Sequence, residues 1–448
     1  MKLAPVLFVA KRSFFGHRRS EDRRGRSRNY VKGAVLGVSL SIVPLTVVMF
    51  VADGMIEGIT NRYLETSTYH LEVAPIYSRS PEELSQAAAM LGKLPGVRGA
   101  YPEMQGPAVV LAPAGRSAPG GAIIRAVAPS FFSDAGVERY LKPISGELAF
   151  KRDNDVILGE ALAGKLGVKP GDLVSFLTSR ESSHGALVSA VSPRLTTLRV
   201  RAIASAGYEE LDSLWAFVPL STGAKMLAPG MRRIFIGVKT DAPYSNLAPL
   251  QASVNQSLAT ADGLDQWTVN TWSELEENLW KSFSTTRALL LLIMALAVAV
   301  AAVNLSSSLI MLSLERKKDI AILKSSGVSN SQIGLIFVTI GAFTGVIGTA
   351  IGLGVGTAIS VFINEIIAGI ETGVDFLARI GGGFVGSKTP MNFKLLNPSY
   401  YLEHIPVTVS PSKLLAVAVL CVGLCILASL LPARKAARLP PLEIFRKT

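Results

Sequence analysis

Four stretches of the chain are almost unbroken in apolar residues and long enough to cross a bilayer. They lie at 33–52 (GAVLGVSLSIVPLTVVMFVA), 286–314, 333–362 and 413–432. A helix needs about 20 such residues to span a hydrocarbon core of roughly 30 Å, so four transmembrane helices are predicted. The second stretch exceeds that length and predicts a helix that tilts or continues beyond the bilayer. Ahead of the first stretch, Pro5–Phe15 mixes apolar and basic residues and suits an amphipathic elbow in the membrane interface. The apolar run at 33–52 and its basic leader are too long for a cleaved signal peptide, and no small-x-small site follows, so it reads as an uncleaved anchor.

Between 53 and 285 the pattern changes to that of a mixed α/β domain. Ser80-Pro81-Glu82-Glu83 supplies an N-cap serine, a proline at the first helical position and a glutamate that completes a capping box. The helix it opens is expected to end near Leu94-Pro95-Gly96. Strands are predicted at 108–112, 123–128, 173–177, 195–204, 214–218 and 234–238 from their β-branched content. Asp155–Leu158 is a short apolar run, Glu160–Leu166 reads as a helix, and Gly167–Asp172 as a turn. Ser179–Pro193 breaks the strand pattern, being polar and rich in serine, and predicts a hairpin tip standing out from the domain. Partner contacts concentrate on such tips. The predicted fold class is therefore a membrane α-helical protein, with four transmembrane helices and an inserted extracytoplasmic α/β domain.

Charge fixes the expected orientation. Only 17% of residues are charged, below the roughly 25% of soluble domains, and the mean hydropathy is +0.39. The net charge of +12 comes largely from Lys11-Arg12, Arg18-Arg19, Arg23-Arg24, Arg26, Arg28, Lys32, Arg316-Lys317-Lys318 and Arg434-Lys435. Each group flanks an apolar stretch, as cytoplasmic segments do under the positive-inside rule. Segments 1–32, 315–332 and 433–448 are expected inside, and the domain at 53–285 and a loop at 363–412 outside. No nucleic-acid-binding motif accompanies the charge, so a nucleic-acid partner is not expected.

Chemistry is sparse. Cys421 and Cys425 fall within an apolar run and read as packing residues, and four scattered His residues give no metal spacing. Gly381–Thr389 (GGGFVGSKT) approaches a phosphate-binding loop, but Ser387 separates Gly386 from Lys388. No nucleophile–base constellation is visible. The chain is thus expected to be no enzyme and to bind no cofactor of its own, with energy supplied by a partner.

The inner segment 315–332 is more informative. Leu314, Lys317, Ile320 and Leu323 recur at helical spacing, predicting a short charged helix with an apolar face that docks a protein. Gly327 suits its C-terminal cap, and Ser329 with Gln332 offers a capping box for the next span. In that span Gly341, Gly345, Gly348, Gly352 and Gly356 recur every three or four residues on one face, as in closely packed membrane helices.

These residues resemble a known family. Glu315…Asp319-Ile320-Ala321-Ile322-Leu323-Lys324…Gly327, the C-terminal Pro432-Ala433-Arg434-Lys435…Leu442-Glu443 and the Asp155…Asp172 segment are similar to the FtsX/MacB-type ABC permeases. Asp53-Gly54-Met55 and Tyr400-Tyr401…Pro406 resemble the lipoprotein-releasing LolC/LolE subunits within them. The resemblance implies a domain of MacB periplasmic-core type and a subunit that extracts lipoproteins from the inner membrane for a periplasmic carrier. It implies as partners a LolD-like ABC ATPase carrying ATP and Mg, a second permease subunit, identical or paralogous, membrane lipoproteins as cargo, and a LolA-like carrier. Coupling to the ATPase would fall to Glu315, Lys318, Asp319, Ile320, Ile322, Leu323, Lys324 and Gly327. Lipid contact would fall to Val48, Val51, Met55, Tyr400 and Tyr401, and carrier contact to the loop with Ser183, His184, Gly185 and Pro193. Two other roles exist in the same superfamily: a MacB-like mechanotransmission exporter, and an FtsX-like signalling subunit controlling a cell-wall hydrolase.

Overall fold

The computed structural model describes residues 23–113, 118–182, 190–262, 266–385 and 404–438. They divide into two compact units, one from 55–282 with 404–405, the other from 23–54, 283–385 and 406–438. Helix α1 (Arg23–Tyr63) contains the first apolar stretch and extends it at both ends. The division between units falls within it, after Gly54.

The α/β unit is built on a ten-stranded sheet. Its strands are β1 (Leu71–Pro75), β2 (Gly99–Leu111), β3 (Gly120–Val127), β4 (Lys142–Gly146), β5 (Asp155–Gly159), β6 (Leu173–Ser182), β7 (Ala190–Ser205), β8 (Trp215–Pro219), β9 (Arg233–Lys239) and β10 (Trp267–Thr271). They run in the order β10-β1-β9-β2-β3-β8-β5-β7-β4, with β6 paired to β2 and β7. Pairing is mostly antiparallel, with β3–β8 and β5–β7 parallel. Helices α2 (Pro81–Leu91), α3 (Ala135–Tyr140), α4 (Glu160–Leu166), α5 (Glu209–Asp212), α6 (Leu220–Met226), α7 (Ala248–Asp262) and α8 (Trp272–Leu275) connect them.

Strand periodicity of two separates the faces. Met104, Ile124, Val218, Ile236 and Val238 join Leu84 of α2, Leu162 of α4, Met226 of α6 and Val254 of α7 in one apolar core. The alternate positions Glu103, Arg125, Phe217, Phe235 and Lys239 are buried too, but among aromatic rings. The capping box of α2 is present, Glu83 N–H donating to Ser80 Oγ and Ser80 N–H to Glu83. The helix stops at Leu91, earlier than expected, and a turn carries the chain to Gly96.

Two expectations are corrected here. Ser179–Pro193 is not all loop: Ser179 pairs with Pro193, Arg180 with Ser192, Glu181 with Val191 and Ser182 with Ala190, so β6 reaches Ser182 and β7 begins at Ala190. Main-chain pairing is indifferent to polar side chains, and Pro193 is a strand residue. The segment 363–412 is not all loop either. Its first part is a helix, since its glycines interrupt the apolar run without breaking the 3.6-residue period.

The second unit holds α9 (Glu277–Glu315), which begins in the α/β unit, then α10 (Lys317–Ser325), α11 (Asn330–Val361), α12 (Ile363–Val385) and α13 (Pro411–Ala437). Among the described residues four helices are long and apolar enough to cross a membrane: Lys32–Thr68, Trp280–Glu315, Asn330–Val361 and Pro411–Ala437. Val38, Ile42, Leu305, Leu309, Phe337, Ile340, Cys421 and Cys425 form their common core. The glycines of α11 serve two neighbours. A Cβ on Gly341 or Gly345 would lie 2.5 Å from Ser429 or 2.7 Å from Cys425 of α13. On Gly348, Gly352 or Gly356 it would lie 2.9, 2.8 or 2.7 Å from Val38, Ile42 or Thr46 of α1.

Candidate functional site

α10 sits between two breaks. At Arg316 the backbone leaves helical geometry (φ −92°, ψ 19°), and α10 starts at the next residue. Its end is closed by a Schellman motif: Val328 N–H donates to Leu323 O at 3.1 Å and Gly327 N–H to Lys324 O at 3.0 Å. Gly327 takes φ +88°, which a side chain would strain. Ser329 and Gln332 then cap α11 reciprocally. Ile320 and Ala321 are buried, whereas Ile322 is 54% exposed, and Glu315, Lys318 and Asp319 are exposed. Leu323 and Lys324 are half-buried, and Lys324 Nζ donates to Ala437 O at the end of α13 at 2.7 Å. Ile320 and Leu323 help line a groove of about 440 Å³ with Leu312, Ile333, Phe337 and Ile340; Arg316, Asp319 and Ile322 also border it. α10 thus has one face on the helix core and a charged face open to a partner.

At the opposite ends of the same helices, three charges converge. Asp53 of α1 accepts from Lys413 of α13 at 2.8 Å and lies 3.3 Å from Arg287 of α9. One residue on, Gly54 meets the backbone of Pro406 and Val407: a Cβ there would come within 1.9 Å of Pro406 O. The Asp53-Gly54 step and Pro406, singled out separately in the sequence, are therefore in contact, and only glycine fits. Val48 is 40% exposed, and Val51 and Met55 are half-buried further along α1.

The α/β unit carries a set of buried charges that sequence reading missed. Arg125 holds Glu103 through two bonds of 2.6 and 2.8 Å and lies over the rings of Trp215 and Phe217. Tyr69 OH donates to the same Glu103 carboxylate. Among the described residues Tyr69 alone, apart from glycines, has positive φ. Lys239 is fully buried and donates to Asp134 at 2.5 Å. Burial pushes its ammonium below the usual lysine range, with Asp134 and Glu65 opposing the fall. Burial would raise the Asp134 carboxyl, but hydrogen bonds from Lys239 and Tyr101 bring it below the usual carboxylate range. Arg125 alternates with the core-facing Ile124 and Ala126, so by strand periodicity it reads as solvent-facing and gave no signal of its burial.

Pro193 is an exposed residue of β7. Ser183, His184, Gly185, Tyr400, Tyr401, the Pro5–Phe15 elbow and the tail from Leu439 lie outside the described residues.

Residues 33–256, half of the chain, match the family described as MacB-like periplasmic core domain, and residues 291–441 match the FtsX-like permease C-terminal family. The lipoprotein-releasing system transmembrane protein LolC of Xylella fastidiosa is 25% identical over 435 residues, covering 96% of each chain. LolE of Haemophilus influenzae is 24% identical over 298 residues, 66% of this chain and 65% of that one. Among solved structures, the periplasmic region of MacB from Actinobacillus actinomycetemcomitans is 17% identical with a TM-score of 0.32, covering 48% of this chain and 95% of its own. The chain belongs to the FtsX-like permeases that carry a MacB-like periplasmic core domain.

Proposed function

We propose that this permease is the membrane subunit of an ATP-driven transporter that lifts lipoproteins out of the inner membrane and hands them to a periplasmic carrier. As a member of its family it is an inner-membrane transport subunit, not an enzyme, with a periplasmic α/β domain. The observation that carries the cargo assignment is similarity to LolC over almost the whole chain, through both units. The basic clusters support a reading with the N- and C-termini and α10 in the cytoplasm and four crossings between.

In this reading a partner ATPase, which holds ATP and Mg, docks on Glu315 at the end of α9 and on the exposed face of α10 through Lys318, Asp319 and Ile322. A second permease subunit, identical or paralogous, completes the transporter. Val48, Val51, Met55, Tyr400 and Tyr401 contact the lipid anchor, and Ser183, His184 and Gly185, in the sequence between β6 and β7, together with Pro193, meet the carrier. Each acyl methylene moved from lipid to water costs about 0.8 kcal/mol, so extraction needs both an apolar receiving surface and an external source of work.

The test is purification in mild detergent followed by mass spectrometry of what co-purifies. An ATPase together with acylated lipoproteins is expected. A cell-wall hydrolase in place of lipoproteins would replace this reading with a signalling role.

A further inference from the structure

α12 separates its chemistry at helical period. Ile363, Ile366, Ile367, Ile370 and Val374 share one stripe, while Glu365 and Thr372 lie opposite it and Asn364 and Glu371 on its flank. The stripe is not sunk in the helix core, for Ile366 is 38% and Ile370 45% exposed. The exposed apolar side chains of α11 lead into it without a polar interruption, through Val355, Val361 and Phe362.

The register of α11 on α1 sets the height of this helix. The two helices run parallel, Gly348 against Val38, Gly352 against Ile42 and Gly356 against Thr46, four residues at each step. Carried two turns further, the same pairing places Ile363 level with Asp53. Asp53 is the residue that gathers Arg287 and Lys413, and three charged groups belong at the headgroups rather than among acyl chains. α11 has 32 residues, about 48 Å at 1.5 Å each, more than the roughly 30 Å core requires. It therefore reaches the interface where α12 begins. There the backbone breaks: Phe362 has φ −93° and ψ 19°, so α12 need not continue along the axis of α11.

We infer that α12 lies along the interface of the lipid bilayer, its isoleucine stripe among the acyl chains and its acidic arc in water. The occupant of the stripe is lipid because the stripe continues the lipid-facing surface of a span and starts at headgroup height. The inference rests on the four spans of the proposed reading, but neither on the cargo nor on which side is outside.

The test is spin-label accessibility in the full chain, purified with its co-assembling subunits in nanodiscs of phosphatidylethanolamine and phosphatidylglycerol. Labels are placed through Ile366→Cys, Ile370→Cys, Glu365→Cys and Thr372→Cys, and the parent, whose Cys421 and Cys425 are buried, gives the blank. At 366 and 370 oxygen should relax the label several-fold more effectively than a water-soluble nickel chelate, and the preference should reverse at 365 and 372. Equal nickel access at all four positions would put α12 in water and overturn the inference. Protection of 366 and 370 from both reagents would mean that protein covers the stripe, and would overturn it equally. Co-purification of the usual subunits with each variant verifies assembly. Lipoprotein binding, read on the same samples, tests the cargo assignment separately.

Discussion

The Schellman motif at Gly327 gives the sharpest test of α10 as a transmitting element. Gly327 has φ +88°, and a Cβ there would meet nothing within 4 Å. Gly327→Ala therefore introduces backbone strain without a clash, about 1–2 kcal/mol. Gly327→Pro does much more. It locks φ near −65°, removes the N–H that bonds Lys324 O, and pushes Ser326 out of its helical conformation (φ −82°, ψ 8°). The closing turn of α10 cannot then form, at about 3 kcal/mol or more. The exposed docking face, Lys318, Asp319 and Ile322, lies N-terminal to the damage and should still hold the ATPase. The assay is ATP hydrolysis and carrier-dependent lipoprotein release from proteoliposomes. If the full strain appears in the coupling, release should fall on the order of 10-fold in the alanine variant and 100-fold in the proline variant. Hydrolysis should persist in both. Proline-variant release at the wild-type rate, with the complex intact, would refute the reasoning. Loss of the ATPase from the complex would show that the turn supports docking instead of transmission.

Three further outcomes are expected. Arg125→Met should destabilise the α/β unit by about 3–5 kcal/mol, because Glu103 is left charged and buried; urea unfolding followed by tryptophan fluorescence of the full chain measures it, and Glu103→Leu added to Arg125→Met should recover part of the loss. Burial raises the Asp212 carboxyl from 3.8 to about 6 despite bonds from Ser205 Oγ and Ala206 N–H. The folded state then holds the proton more tightly, so this group's contribution to stability falls as pH rises from about 4 to 6, by at most about 3 kcal/mol. Asp212→Asn should flatten that slope in thermal unfolding between pH 4 and 7. Gly352→Leu should drive α1 away from α11, at about 1–3 kcal/mol, and lower the melting temperature in detergent; Gly354→Leu, on a position with nothing within 4 Å, should not.

Wherever local rules decide the outcome, the sequence was readable. The capping boxes at Ser80 and Ser329 depend on residues three apart, and the apolar stretches on composition alone. Strands β1, β4 and β10 were not visible for a physical reason. Each has five residues, and β4 (Lys142–Gly146) is exposed throughout, an edge strand defined by main-chain pairing to β7 and not by an apolar pattern. The Asp53–Lys413 contact joins positions far apart in the chain, and neither residue type reports its partner. The Glu103–Arg125 pair was hidden in the same way, since a lone charge in a strand reads as solvent-facing until its neighbours are known.

The two breaks around α10 connect helices that are held very differently. α11 packs closely on both sides through its glycines, against α1 and against α13. α9 is fixed through its C-terminal half, where Leu305, Leu309 and Leu312 are buried and Ser306 donates to Ala428 O. Over its N-terminal half it touches the bundle mainly through Met294 and Val298, and Leu289, Leu292, Ile293, Leu296 and Val300 are each more than half exposed. In the proposed reading, a push on α10 would meet the closely packed α11 through the Gly327 turn and the less buried α9 through Arg316. Displacement must then appear in α9, whose far end carries Arg287 against Asp53. The partition of stiffness, more than any single contact, would direct work delivered at α10 into moving α9 relative to α1.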